Sequence, residues 1–357
     1  MILLILLLFL TSVCTGNTDS SSQRLDDCFT TPLSNFDGPQ IVIGNATSFE
    51  WWYFDAVSSD GKSGVTIVFY RTGVAGIHDP LDYVEISLVQ PNGSIFTDSF
   101  AANSSNVTAC GYGASGVWNA AGASFQGTPD LGLYTITLDN NIIKGSMTIL
   151  STTPGRYPGG QPPGSNASAL AAPEIFWTNA IPSGIANANF KYKGQTLKIS
   201  NGTGYHDHNW GGLGLAAGLA SWYWGHATVG EYTLVWFDSV TSTNVRHGST
   251  YLVQSGEVLL YGQHTPFASA SNFATILPFG NGTVFPANMS SGRLPSGFIL
   301  TFVGTSGRHW SFLAEHVYIA ENVAGLSLYT RWIGKVMGGE IGGDMDTGSG
   351  VWEWLRF

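Results

Sequence analysis

The chain of 357 residues is acidic and sparsely charged, with a net charge of −10 and 11% Asp, Glu, Lys and Arg, against about 25% in an ordinary domain. This balance argues against nucleic acid and anionic membrane surfaces as partners. Aromatic residues make up 13% of the chain and glycine occupies 46 positions. Such a composition favours β-sheets with many turns around an aromatic-lined cavity.

The first ten residues form an unbroken apolar run, and small residues follow as far as Gly16. A run of this length suits the core of a signal peptide and is too short to cross a bilayer as a helix. We therefore expect residues 1–16 to be a cleaved signal peptide. The mature protein is expected to be secreted, with no stable membrane anchor.

The cysteines and the glycosylation sequences are also typical of a secreted protein. Cys14 belongs to the predicted signal peptide, which leaves Cys28 and Cys110 as one expected disulfide in an oxidising environment. Eight asparagines begin an Asn-x-Ser/Thr acceptor sequence for glycosylation, and these are Asn45, Asn92, Asn103, Asn106, Asn166, Asn201, Asn281 and Asn288.

Short β-rich runs separated by turn signals follow one another along the chain, and a 3.6-residue apolar period is almost absent. The strands predicted in the first half are 49–57, 64–70, 83–90, 94–100, 133–138, 143–150 and 191–197. Those predicted in the second half are 221–228, 232–240, 250–254, 257–261, 298–304, 309–320, 327–335 and 351–357. The segment 213–220 suits a helical turn or a loop. This pattern predicts an all-β chain, with a sandwich followed by a barrel or a second sandwich.

The first predicted strand contains the run Glu-Trp-Trp-Tyr-Phe-Asp at 50–55. Because side chains alternate along a strand, each face carries two aromatic rings and one carboxylate. A plain core strand and a strand of a site are equally good interpretations. Burying Glu50 or Asp55 without a partner is costly, and a buried carboxylate with a raised pKa could act as a general acid or base.

The segment 204–211 reads Gly-Tyr-His-Asp-His-Asn-Trp-Gly. In a strand, His206 and His208 share one face with Trp210, while Tyr205, Asp207 and Asn209 occupy the other. Such dense polar chemistry favours a functional site; the alternative is a hydrogen-bonded strand that locks a domain junction. Two histidines at this spacing could reach one metal ion, but no further ligand is selected, and we expect no metal.

Two later strands add aromatic rings to the same candidate site. Alternation places Trp222, Trp224 and His226 on one face and Tyr223 on the other, and it groups Tyr232, Leu234, Trp236 and Asp238. These rings suit a flat, largely apolar ligand that is held by stacking. No nucleotide-binding fingerprint stands between a strand and a helix, so we expect no nucleotide cofactor.

The segments 49–55, 204–211, 222–225 and 235–238 together resemble the hydroxyneurosporene-synthase (CrtC/AttH-like) family, over roughly residues 40–357. The secreted, sequon-rich format is most similar to the fungal branch with kievitone hydratase, Diels–Alderases and hetero-Diels–Alderases of tropolone sesquiterpenoids. The resemblance implies an N-terminal β-sandwich in residues 17–195 and a C-terminal lipocalin-like β-barrel in 196–357. It also implies a ligand pocket between or beside the domains and no redox cofactor.

The resemblance implies an enzyme of secondary metabolism acting on a hydrophobic polyketide or terpenoid. We expect it to dehydrate a hydroxylated precursor and guide a (hetero-)Diels–Alder closure. The alternatives are a hydratase that adds water to a prenyl or polyene double bond and a lipocalin-like carrier without chemistry. Carboxylates and imidazoles on aromatic strands favour an enzyme over a carrier.

The motifs also give the expected site residues. The expected proton-handling residues are His206, His208, Asp207, Glu50 and Asp55. The expected ligand-binding residues are Trp52, Tyr53, Tyr205, Asn209, Trp210, Tyr223, Trp224, His226 and Trp236. On this hypothesis, replacing His206 or His208 with alanine lowers turnover far more than stability.

Overall fold

The computed structural model of the protein describes residues 36–41, 48–71, 82–212, 218–264, 272–280, 294–305, 307–323 and 328–357. The signal peptide at 1–16, Cys28, Asn45, Asn281 and Asn288 lie outside these residues, and the predictions made for them stay predictions. Within the described ranges, no helix has the length and apolar character needed to cross a membrane.

Twelve strands form the first sheet. They are β1 Phe49–Val57, β2 Gly64–Arg71, β3 Asp82–Val89, β4 Ile95–Ala102, β5 Ser104–Cys110, β6 Gly113–Asn119, β7 Ala123–Gly127, β8 Leu133–Asp139, β9 Ile143–Ser151, β10 Leu170–Ala172, β11 Ile175–Tyr192 and β12 Gln195–Gly211. The strand order is β4-β3-β2-β1-β12-β11-β9-β8-β7-β6-β5, with β10 paired to β11. Every neighbouring pair in this order is antiparallel.

The first sheet folds back on itself, so that its two ends share one core. Phe69 of β2 packs on Trp118 of β6 at 4.9 Å and on Phe125 of β7 at 5.2 Å, measured between ring centroids. The Trp118 indole N–H donates a hydrogen bond to the Tyr70 carbonyl oxygen at 2.8 Å. The N-terminal half is therefore a sandwich built from one continuous sheet.

Nine strands form the second sheet. They are β13 Leu219–Val229, β14 Tyr232–Thr241, β15 Arg246–Gln254, β16 Glu257–His264, β17 Phe273–Phe279, β18 Gly297–Val303, β19 His309–Val323, β20 Leu328–Glu340 and β21 Asp346–Arg356. Their order is β16-β15-β14-β13-β21-β20-β19-β18-β17. The end strands β16 and β17 lie next to each other, so the sheet is nearly closed into a barrel.

The interior of this barrel is filled by large side chains. Its buried cluster contains five indoles, at Trp236, Trp310, Trp332, Trp352 and Trp354. All the elements in the described residues are β-strands, with no helix among them. The predicted all-β class with a C-terminal lipocalin-like barrel is therefore confirmed.

Some strands differ from the sequence-based prediction. The run 191–197 was predicted as one strand, but Lys193 and Gly194 have positive φ values of 45° and 76° and form the turn between β11 and β12. The long strand β11 was not predicted. It contains Pro182, and proline is uncommon inside a strand. Here Pro182 lies where the pairing with β12 shifts register, between Ile181 and Gly184, as in a β-bulge.

The division between the sheets falls later in the chain than the predicted domain boundary at residue 195. Strand β12 pairs with β1 and β11 over its length, so the first sheet extends to Gly211 and the second begins at Leu219. The predicted domains 17–195 and 196–357 stay predictions. The segment 204–211 nevertheless belongs to the first sheet.

Cys110, the last residue of β5, is disulfide-bonded. Its partner lies outside the described residues, so the pairing with Cys28 stays a prediction. Among the described acceptor asparagines, Asn92, Asn103, Asn166 and Asn201 are exposed and Asn106 is half-buried. The exposed side chains are sterically open to a glycan, and occupancy stays a prediction.

Candidate functional site

A cavity of about 200 Å³ lies between the first sheet and the barrel. Strands β1, β2, β3, β11 and β12 supply one wall, and β13, β14, β19, β20 and β21 supply the other. The lining residues are Trp51, Tyr53, Val68, Tyr70, Tyr83, Glu85, Ile175, Asp207, Asn209, Trp222, Trp224, Phe237, Glu321, Val323, Tyr329, Arg331, Glu353, Leu355 and Phe357.

Aromatic rings from both sheets meet around this cavity. Tyr53 of β1 packs edge-on against Trp224 of β13, with ring centroids 5.1 Å apart and an interplanar angle of 74°. Trp222 packs on Phe237 at 5.7 Å. Because these rings are held by strands on both sides, the walls are a rigid, mostly apolar surface against which a flat ligand can stack.

The alternation of strand side chains decides which part of each motif reaches the cavity. On β1, Trp51 and Tyr53 line the cavity, whereas Trp52 packs in the core of the first sheet. On β12, Asp207 and Asn209 line the cavity. The predicted grouping of faces in both motifs therefore agrees with the structure.

A buried arginine is the centre of an ion-pair cluster in the cavity wall. Arg331 of β20 donates to Glu321 Oε2 at 3.0 Å and to Glu353 Oε2 at 3.2 Å. Glu353 also accepts hydrogen bonds from the Tyr329 hydroxyl and, at 2.9 Å, from the Trp222 indole N–H. The cluster fixes Arg331 and both carboxyl groups in one arrangement.

Asp207 is buried and is held by three neutral donors. The Trp177 indole N–H and the Tyr205 hydroxyl each donate to Oδ2 at 2.9 Å, and Asn209 Nδ2 donates to Oδ1 at 2.7 Å. Burial raises the pKa of Asp207 to about 7, although these hydrogen bonds and His206 act in the opposite direction. Asp207 can therefore gain or lose a proton near neutral pH.

The cavity holds more carboxyl groups than positive charges. Glu85, Asp207, Glu321 and Glu353 line it, and Arg331 is the one cation among its described lining residues. A buried carboxylate without a countercharge tends to take up a proton. Burial raises the pKa of Glu321 to about 8, partly offset by Arg331, and the neighbouring Glu85 raises it further. These raised pKa values favour protonated carboxyl groups in the cavity at neutral pH.

Behind the cavity wall, a second network joins the two sheets. The Tyr53 hydroxyl donates to Asp55 Oδ2 at 2.7 Å, and His226 Nε2 of β13 lies 2.8 Å from the same oxygen. The His226 ring stacks on Tyr205, with centroids 4.3 Å apart. Four predicted site residues are therefore brought together here, and Tyr53 connects them to the cavity.

The structure does not bring the leading histidines to the cavity. His206 stacks on Phe54 at 4.0 Å and His208 stacks on Trp52 at 4.5 Å, both in the core of the first sheet. Their Nε2 atoms pair with carboxylates of distant segments, and these are Asp37 at 3.1 Å and Glu50 at 3.0 Å. His206, His208, Glu50 and Trp52 therefore lie in surroundings that are typical of structural residues. The geometry does not support the roles toward a ligand that the sequence suggested for them.

Three predicted ligand-binding rings also lie away from the cavity. Trp210 is half-buried and stacks on Phe176 at 5.7 Å. Tyr223 and Trp236 belong to the core inside the barrel. Their positions follow from alternation, because they occupy the strand faces opposite to those of the lining residues Trp224 and Phe237.

Several lining residues were missed by the sequence interpretation. The missed charged residues are Glu85, Glu321, Arg331 and Glu353. A signal was present, since Arg331 and Glu353 stand next to tryptophans in the largely apolar runs Leu-Tyr-Thr-Arg-Trp-Ile and Val-Trp-Glu-Trp-Leu, where a charge is unexpected. Sequence alone gives no indication that β20 and β21 pair with these two residues opposite each other.

The described part of the chain contains several buried histidines and carboxyl groups. No group of three or more His, Cys, Asp or Glu side chains there is arranged to hold a metal ion. His206 and His208 each contact a different carboxylate. The expectation of a metal-free site stays a prediction.

The raised pKa of Asp207 predicts that wild-type stability falls as pH rises from 5 to 8. The folded protein keeps a proton on Asp207 up to a pKa of about 7, whereas the unfolded chain releases it near pH 4. The folded state binds more protons in this window, so stability decreases with pH, by at most about 1.4 kcal/mol per unit for one group. Urea unfolding at pH 5 and pH 8 should show a smaller decrease for Asp207→Asn.

Asp130→Asn is the matched control for this measurement. Asp130 lies on the surface, where hydrogen bonds from Thr128 and Gly132 lower its pKa. Its replacement should leave the decrease between pH 5 and pH 8 intact. An Asp207→Asn variant with the wild-type decrease would show that Asp207 does not hold a proton in the folded protein.

The fold and the cavity are those of an enzyme that acts on a small molecule. Comparison with known proteins identifies the family. The family model described as Diels-Alderase-like matches residues 12–357. The chain therefore belongs to the Diels-Alderase-like family. The family resemblance inferred from the sequence motifs is confirmed.

Individual relatives agree with this assignment. The chain is similar to the quinolone epoxide rearrangement protein asqO of Emericella nidulans, with 33% identity over 330 residues that cover 90% of this chain and 87% of the relative. It is also similar to the Diels-Alderase cheD of Chaetomium globosum, with 29% identity over 347 residues that cover 92% and 79% of the two chains. The crystal structure of CghA with Sch210972 shares the fold, with a TM-score of 0.75, 19% identity and coverage of 92% and 95%.

Proposed function

We propose that the protein is a Diels–Alderase of secondary metabolism, acting on a hydrophobic polyketide or terpenoid precursor in the cavity between the sheets. The observation that carries this proposal is the aromatic cavity with its buried acids and single described cation. The Diels-Alderase-like family model and the Diels-Alderase relative support the reaction class. Substrate class is inferred from the cavity's apolar walls.

The cavity can promote ring closure by holding a flexible precursor in a folded conformation. Restricting the diene and the dienophile to a near-attack geometry removes much of the entropic barrier. Trp224 and Tyr53 pack edge-on in the wall, so they present a shaped surface that favours one face of approach. Arg331 adds a positive charge that can stabilise negative charge developing on a dienophile carbonyl in this water-poor site.

An acid-assisted opening of a C–O bond is a second candidate step at the same site. Its support is the raised pKa of Asp207 and Glu321, at about 7 and 8, and the similarity to a protein named for epoxide rearrangement. Such acids suit loss of water from an alcohol before cyclisation, and by microscopic reversibility they also suit a hydratase. The carrier hypothesis is weaker, because the lumen in which a lipocalin-like barrel would hold its ligand is packed with indoles.

Trp224 and Trp210 were both expected to bind the ligand, and replacing each of them tests where the site lies. Trp224→Ala removes a cavity wall and should lower the rate of cyclisation of a linear polyene bearing a conjugated diene and an enone by about tenfold or more. It should also change the ratio of stereoisomers, as measured by chiral chromatography against the reaction without protein. Trp210→Ala should keep both the rate and the ratio, because Trp210 lies outside the cavity lining.

The reverse pattern would contradict this location. A Trp210→Ala variant that loses selectivity while Trp224→Ala keeps it would place the site elsewhere. If no such polyene cyclises faster with wild-type protein than without it, the cyclase proposal fails. Circular dichroism of each variant separates a change of selectivity from loss of the fold.

A further inference from the structure

Two carboxyl groups meet across the cavity from opposite sheets. Glu85 lies on β3 of the first sheet and Glu321 on β19 of the barrel, and both line the cavity. The Ser87 hydroxyl donates a hydrogen bond to the Ala320 carbonyl oxygen, which holds these two strands together next to the pair. The Glu85 carboxyl group lies within hydrogen-bonding reach of Glu321. Two carboxyl groups can form such a hydrogen bond only when one of them carries a proton.

The ion pairs of the cavity wall leave this pair short of positive charge. Arg331 contacts Glu321 and also Glu353. One guanidinium group therefore already pairs with two carboxyl groups, and Glu85 is a third. In the described chain, the ion pairs of this wall involve Arg331, Glu321 and Glu353 but not Glu85. A single shared proton lowers the charge of the Glu85–Glu321 pair from −2 to −1.

Apart from one arginine, the titratable groups that act on the pair are tyrosines. The titratable and charged groups that act on Glu321 or Glu85 from β2, β3, β19 and β20 are Tyr70, Tyr83, Tyr329 and Arg331. Tyr70 stacks on Tyr83 with centroids 4.4 Å apart, and both rings also line the cavity. Burial raises the pKa of both tyrosines, so their hydroxyls stay neutral and Arg331 remains the cation of the group.

We propose that Glu85 and Glu321 share one proton and donate it to the hydroxyl oxygen of an alcohol bound in the cavity, so that the oxygen leaves as water. The C–O bond breaks, and both its electrons go to the oxygen that receives the proton. The substrate is left as a cation, and the carboxylate pair then takes a proton from the adjacent carbon or from a phenol hydroxyl of the substrate. This second transfer yields a neutral alkene or quinone methide and restores the shared proton.

This inference rests on the proposed function, because it names the acid for the dehydration that precedes ring closure. It differs from the sequence-based hypothesis, in which the proton-handling residues are His206, His208, Asp207, Glu50 and Asp55. A protonated acid held beside the leaving oxygen can contribute about 10²–10⁴-fold to such a step. The Glu85–Glu321 pair suits it because both groups reach the cavity directly.

The shared proton can be tested on the full chain without a substrate. Infrared titration between pH 6 and pH 9 should show a carboxylic acid carbonyl band at neutral pH, to which Asp207 also contributes, and Glu321→Gln should remove the part of the band that titrates near pH 8. In Glu85→Gln the remaining band should titrate at lower pH, because the Glu85 charge is one cause of the raised pKa of Glu321. Glu315→Gln, on an exposed position of the same strand, should match wild type.

The chemical step can be tested with 4-hydroxybenzyl alcohol in ¹⁸O-labelled water, which reports cleavage of the C–O bond without any cyclisation. Wild type and Glu315→Gln should exchange the benzylic oxygen at equal rates, and Glu321→Gln should be slower by at least about tenfold. Glu85→Gln should retain exchange, but its exchange rate should begin to fall at a lower pH than the rate of the wild type.

Equal exchange by wild type and Glu321→Gln, or by wild type and buffer, would overturn the proposal. So would an infrared band that is unchanged in Glu321→Gln. A protein that exchanges oxygen but does not cyclise a polyene would instead retain this inference and fail the cyclase proposal. Circular dichroism of each variant establishes that a loss of exchange is not a loss of the fold.

Discussion

Replacing His208 with alanine is expected to lower the free energy of unfolding by about 2–4 kcal/mol, from the cavity left behind and the lost hydrogen bond. His208 is fully buried, stacks on Trp52 at 4.5 Å and pairs with Glu50 at 3.0 Å. Urea unfolding followed by tryptophan fluorescence measures the loss. His309→Ala is the control, because His309 is exposed and its replacement should change stability by no more than about 0.5 kcal/mol.

Turnover by the folded fraction of His208→Ala should stay close to wild type, since the side chain does not line the cavity. This expectation opposes the hypothesis that the sequence suggested, in which His208 handles protons. A stable, well-folded His208→Ala enzyme without activity would restore that hypothesis. The two interpretations therefore differ in which quantity changes, stability or turnover.

The sequence could predict the faces of these strands but not what each face meets. Alternation along β12 correctly separates His206 and His208 from Asp207. Whether the histidine face borders a ligand or a core depends on segments far away in the chain, because His206 pairs with Asp37 across 169 positions and His208 with Glu50 across 158. Such long-range pairing leaves no local pattern, so residues of both faces were assigned to the site.

The same limit explains the charged residues that were missed. Period-2 alternation was sufficient for the all-β class, and the motif spacing was sufficient for the family. Arg331 and Glu353 become a pair only because β20 and β21 align them directly, and Glu321 joins them from β19. A charge in an apolar strand could be recognised as unusual from sequence, but its partners depend on strand order.

Arg331→Met is expected to have the largest effect on stability, lowering the free energy of unfolding at pH 8 by about 3–5 kcal/mol, the range for a broken buried ion pair. Methionine keeps an apolar side chain of similar length but removes the cation between Glu321 and Glu353. Without Arg331 the pKa of both glutamates rises further, because Arg331 lowers each of them in the wild type. Urea unfolding at pH 5 and pH 8 measures the effect.

The loss should be smaller at pH 5 than at pH 8. In the folded variant the two glutamates keep their protons, whereas in the unfolded chain they release them above a pKa of about 4.3. The folded variant then binds more protons than the unfolded chain, so its stability decreases as pH rises through this window. An equal loss at both pH values would mean that Arg331 contributes packing and not charge.

Arg308→Met is the matched control, because Arg308 pairs with Glu340 at the surface, where its side chain is 43% exposed. A surface ion pair contributes at most about 1 kcal/mol, so this variant should stay close to wild type at both pH values. Adding Glu321→Gln and Glu353→Gln to Arg331→Met should recover part of the lost stability at pH 8, since neutral amides need no countercharge. Recovery would show that Arg331 stabilises the protein because its charge offsets the carboxyl groups that line the cavity.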